Sequence, residues 1–138
     1  MGRKLAAVAT LGVAALLGGC GGVDQGDQTA CDLVANASSA VAEAVVDSEQ
    51  ASEVDKDVYR TIVRAADGAV ASQIEIAIDK ANDAELLAAL TTLLDYKTQA
   101  NAGSDDAGMA YFLQLTSVET ACGSLGASSE FKSFDDFE

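Results

Sequence analysis

The side chains able to do chemistry are few in kind. The 138-residue chain has three cysteines, 22 aspartates and glutamates, and no histidine. Without histidine there is no imidazole base for a nucleophilic triad and no imidazole ligand for a metal. The serines stand in no nucleophile-elbow sequence. Carboxylates are paired at Asp105-Asp106 and Asp135-Asp136. Acid–base work by two carboxylates needs a cleft that drives their pKa values apart. Adjacent residues point different ways, and helix-start charge and tail solubility account for both pairs. The run Asp47 to Asp57 is rich in oxygen ligands. It lacks the alternation, central glycine and closing glutamate of a calcium loop, so it reads as a solvated helix junction. The Glu-x-x-His pairs of di-iron bundles are excluded outright. The sequence predicts no catalytic residue, no metal site and no cofactor.

The cysteines are more telling. Cys20 ends the run Leu17-Gly18-Gly19-Cys20, after basic Arg3 and Lys4 and an apolar stretch from Leu5 to Leu17. Basic start, apolar middle and small residues before a cut are the plan of a secretory signal, and the stretch falls short of the ~20 residues a membrane-spanning helix needs. Residues 1 to 22 resemble a bacterial lipoprotein precursor, with the four-residue run as its lipobox. The resemblance implies that residues 1–19 are a signal peptide and that Cys20 carries lipid, palmitate among its acyl chains. It implies a chain held at the extracytoplasmic face of the cell membrane. Two acyl chains suffice for stable anchoring, each methylene contributing about 0.8 kcal/mol. Residues 20–28 then form the lipidated cysteine and a polar tether, whose eight residues after Cys20 reach at most about 30 Å. With Cys20 acylated, Cys31 and Cys122 remain as an even pair in an oxidising compartment. A disulfide is the expected state, with two buried thiols as the alternative.

The formal charge is −14, and it becomes −16 once residues 1–19, with Arg3 and Lys4 and no acid, are removed. Such a surface repels phosphate backbones and excludes nucleic acid as a partner. Solubility explains the charge most simply; attraction to a basic partner or to divalent cations is the sharper explanation. The 110 or so residues beyond the tether suffice for one core.

Four amphipathic segments must position these groups. The first starts near Thr29 as cap, carries Cys31, Val34, Val41 and Val45 on one face, and fades near Ser48. The second, from Glu53 to Ala81, has two neighbouring stripes: Val54, Val58, Ile62, Ala65, Ala69 and Ile76, then Tyr59, Val63, Ala66, Val70 and Ile74. A face that wide suits a helix packed between two others. Gly68 in its middle is a kink, a close crossing or a break. Local alternation over Gln73–Ile78 also fits a strand, against its Ala-rich helical flanks. The third segment begins at Asn82, with Glu85 to close a capping box, and shows the stripe Leu86, Leu87, Leu90, Leu93 and Leu94 up to Gly103. Ser104 caps the fourth, whose face carries Met109, Phe112, Leu115, Val118 and Cys122, with Tyr111 beside it, ending at Gly123 or Gly126.

Short joins make successive helices antiparallel neighbours. The expected fold is all-α: an up-down-up-down four-helix bundle over residues 29–126, closed by a disulfide between the start of the first helix and the end of the fourth. Residues 127–138 form an acidic tail with Phe131, Phe134 and Phe137 spaced by three. These rings either dock a protein partner or fold back over the bundle. Two functions follow. One is a membrane-anchored, non-catalytic protein-interaction module at the bacterial cell surface; a phage-encoded lipoprotein that blocks superinfection is a specific form of it. The other is a lipoprotein binding a small ligand or cation inside the bundle.

Overall fold

A computed structural model describes residues 22–53 and 55–137. Residues 1–19, expected as a signal peptide, Cys20 and Val54 lie outside the described residues. Four helices follow in order: α1 (Gln25–Gln50), α2 (Lys56–Lys80), α3 (Ala84–Asn101) and α4 (Asp105–Ser124), then a short 3-10 helix, Phe134–Phe137. Among the described residues there is no strand, and Gln73–Ile78 is helical.

The expected antiparallel bundle is the observed one. α1 packs along α2, α3 along α4, and α2 along α3, whereas α1 and α4 touch sparsely. Cys31 and Cys122 form a disulfide with Cα atoms 6.0 Å apart. It fastens the start of α1 to the end of α4, the neighbouring helices that touch least. The fully buried side chains gather at this end: Cys31 and Val34 from α1, Ile74 from α2, Leu86 and Leu90 from α3, and Val118 from α4.

Helix ends follow local chemistry. Gly103 and Gly126 both have positive φ (102° and 82°). Each closes a helix by the same pair of backbone bonds, Ser104 N–H to Gln99 O with Gly103 N–H to Ala100 O, and Ala127 N–H to Cys122 O with Gly126 N–H to Gly123 O. This left-handed cap favours glycine. Ser104 caps α4 as expected, accepting from Ala107 N–H at 3.3 Å.

The starts of α1 and α3 differ from expectation. α1 begins at Gln25 because Asp24 is its cap, accepting from Gly26 and Asp27 N–H. Thr29 lies inside the helix, its hydroxyl bonded to Gln25 O. Residues 25–28, expected in the tether, are thus part of the bundle. α3 is capped by Asp83, which accepts from Leu86 N–H at 2.9 Å, not by Asn82. Asn82 instead donates its side-chain N–H to Asp24 Oδ1 at 2.7 Å. The buried Asp27 carboxylate accepts from both Asn82 and Asp83 N–H, at 2.7 and 2.9 Å. The turn between α2 and α3 is thereby clamped onto the first turn of α1. Gly26 makes the clamp feasible, since a Cβ there would lie 2.3 Å from Lys80 O.

α2 buries only one of its two stripes. Val70, Ile74 and Ala77 face the core, with Tyr59, Val63 and Ala66 half-buried, while Val58, Ile62, Ala65, Ala69 and Ile76 face solvent. α3 and α4 have 18 and 20 residues against 26 and 25 in α1 and α2. The α1–α2 hairpin thus outruns its partners by roughly 10 Å at the end away from the disulfide, and among the described residues nothing covers Val58 and Ile62. Gly68 sits in unbroken, exposed helix, and a Cβ added there meets nothing within 4 Å. It marks neither a crossing nor a break. On α4 the inward residues are Ala107, Tyr111, Val118, Ala121 and Cys122, whereas Met109 and Phe112, expected inside, are exposed.

Candidate functional site

Where α1 and α4 diverge, the bundle leaves a cleft of about 530 Å³. That lies within the 300–1,000 Å³ typical of ligand sites, in interiors that otherwise tolerate few voids larger than water. Its existence follows from small residues. α1 presents Ser38, Val41 and Ala42, and α4 presents Gly108 and Thr116 along with Tyr111, Phe112 and Leu115. Tyr111 reaches across to hydrogen-bond Ser38, and the cleft opens beside that contact. Val70 of α2 and Ala100 of α3 lie deeper, and Phe131 of the tail forms a side wall.

The polar floor is built from three helices. Lys97 of α3 is buried, with 7 % of its side chain exposed, and pairs with Asp67 of α2, which is 42 % exposed. The Lys97 ammonium also lies 4.9 Å from the ring centroid of Tyr111 on α4. Ion pair and ring together offset the cost of removing a lysine from water. Burial pushes the Tyr111 phenol above its usual pKa; a Ser38 hydrogen bond opposes this and the Asp67 charge adds to it. Tyr111 is therefore a neutral hydrogen-bonding group throughout the ordinary pH range. Lys97 and Asp67 bring opposite charges into contact on the floor.

The tail is ordered against α1. Ser128 N–H donates to Gln28 Oε1 at 3.1 Å, Ser129 Oγ to Asp32 Oδ1 at 2.7 Å, and Lys132 N–H to Ser39 Oγ at 3.3 Å. Phe131 packs against the core cluster. Phe137 is half-buried, with the Lys132 ammonium 5.9 Å from its ring centroid. The side chain of Phe134 lies outside the described residues. At least one of the three rings therefore folds back, and in doing so walls the cleft.

The acidic groups singled out in the sequence stand apart from the cleft floor. In the Asp47–Asp57 run, Glu53 pairs with Lys56 and Asp57 with Arg60 in exposed local contacts. Asp105 and Asp106 occupy the first turn of α4. Asp136 accepts from Ser133 N–H at 2.6 Å in the tail turn. Among the described residues no group of three His, Cys, Asp or Glu side chains is placed to hold a metal ion, and no helix is long and apolar enough to cross a membrane.

The floor residues escaped the pattern reading, though a signal existed. Lys97 continues the face Leu86, Leu90, Leu93 by one further step of four, and Asp67 stands between Val63 and Val70 on the inward stripe of α2. A charge in register with a buried stripe marks a paired or functional group. Comparison with protein-family models, curated proteins and solved structures found no match, so the cleft is interpreted from its own residues.

Proposed function

We propose that the chain is a lipid-anchored protein of the bacterial envelope, attached through Cys20, that acts without catalysis by binding a protein partner in the α1–α4 cleft. The observation that carries the binding role is the open flank itself: a bundle serving only as a spacer has no reason to leave about 530 Å³ unfilled beside a buried lysine and its half-exposed carboxylate partner. The anchor rests on the lipobox-like run ending at Cys20. The bundle's geometry is compatible with it. α1 begins five residues after Cys20, at the end that also holds the disulfide and the Asp27 clamp. The cleft residues Ser38 to Ala42 stand about 20–25 Å further along α1, facing outward from a membrane at that end.

Intact mass and fractionation of the native protein test the anchor. The expected product starts at Cys20, carries acyl chains and floats with membranes; Cys20→Ser releases it. A product starting at Met1 without acyl chains refutes the anchor. Cross-linking at the cell surface should capture a partner through residues at the cleft mouth. Capture confined to the α2 stripe would refute the cleft as the working surface. The Lys97–Asp67 pair on the cleft floor favours a second reading, a small amphipathic ligand in the same cleft.

A further inference from the structure

We infer that the cleft's occupant is a basic amphipathic helix, lying along α4 between α1 and the tail. This rests on the interaction-module reading above and names the partner's chemistry. The α4 wall runs from Gly108 to Glu119, three helical turns or about 16 Å. A trough of that length takes apolar side chains at i, i+3 or i+4, and i+7 of one helix. Small residues on both walls leave room for those side chains, and Phe112, half-exposed at the mouth, supplies an aromatic contact.

Charge selects the sign of the partner. Glu119 lines the trough, and exposed Glu43, Asp105, Asp106 and Glu130 each stand within three residues of a lining position. Lys97 is already paired with Asp67; among the described residues, Lys132 in the lining and exposed Arg64, three residues from Asp67, are the cations that oppose them. The whole chain carries −14. Rim charges of one sign steer and select a partner of the other, with an effect that salt weakens.

Gly108 offers a clean block. A Cβ there meets nothing within 4 Å, and Gly108 lines the trough. Gly108→Leu fills the space while raising helix propensity, so loss of binding cannot be blamed on unfolding. The full chain in phosphatidylcholine nanodiscs is titrated with a helical leucine–lysine peptide and with a leucine–glutamate peptide of the same apolar face, empty discs serving as background. The lysine peptide should bind about tenfold tighter or more and weaken as salt rises. Binding should vanish in Gly108→Leu, whose melting temperature stays level or rises, and fall in Phe112→Ser. Equal binding of the two peptides, or undiminished binding to Gly108→Leu, overturns the inference. So does a cleft that takes up a neutral apolar dye, loses it in Gly108→Leu, and ignores both peptides. Cys20→Ser should leave peptide affinity unchanged, so a failed anchor and a failed cleft are separate results.

Discussion

Replacing Cys31 and Cys122 together by alanine removes the bond that joins positions 91 residues apart. In the chain-entropy account a loop of that size costs the unfolded state about 15 cal/mol/K, or ~4.6 kcal/mol at 25 °C. The loss is large beside the ~5–15 kcal/mol that stabilises a domain. At this length it lowers Tm by roughly 15–20 °C. Because α1 and α4 have little other contact, no packing between them makes up the difference. Urea denaturation followed by helical circular dichroism measures it, with wild type, wild type plus reductant, and the double variant side by side. The reduced protein and the variant should agree, and both should show a steeper m-value, since an unlinked chain exposes more surface when unfolded. A loss under about 1 kcal/mol would refute the argument that this bond closes the weak flank.

Glycines separate close approach from mere exposure. Gly26→Ala drives a Cβ to 2.3 Å from Lys80 O and should cost about 2 kcal/mol or more in the same denaturation assay, by breaking the clamp. Gly68→Ala meets nothing and should gain about 1 kcal/mol. Asp67→Ala leaves the Lys97 ammonium buried without its anion and should cost about 1–3 kcal/mol, the half-exposed position of Asp67 keeping the loss below that of a fully buried pair; Lys97→Met should restore much of it. Two pH limits follow from linkage. Tyr111 has a raised folded pKa, so the unfolded phenol ionises first and stability falls as pH rises above about 10; Tyr111→Phe should flatten that limb in pH-dependent melting. Hydrogen bonds from Asn82, then Gly26 and Asp27, hold Asp24 below its usual pKa. Its stabilisation is present above the unfolded value near 3.8 and lost as pH falls through the lower folded value, a dependence that Asp24→Asn should remove.

The leucine stripe of α3, the cysteine pairing and the glycine caps were legible because each depends on local pattern or on two residues alone. The clamp was not, because Gly26, Asp27 and Asn82 meet only after α1 and α2 have doubled back. Nor was the choice between the two α2 stripes. Both have helical spacing, and which one is buried depends on how α2 is rotated against α1 and α3. The cleft is lined by the small residues Ser38, Ala42, Gly108 and Thr116 beside Tyr111 and Leu115. Small residues carry no periodic signal, so a void between two helices leaves no mark on either sequence.

Methyl NMR of the full chain during titration with the leucine–lysine peptide tests the working surface most directly. Signals from Val41, Ala42, Ala100 and Leu115 should shift together, while those of Val34, Leu86 and Leu90 at the sealed end stay in place. Shifts confined to Val58, Ile62 and Ile76 on the outer face of α2, or no shifts at all, would contradict a binding role for the open flank.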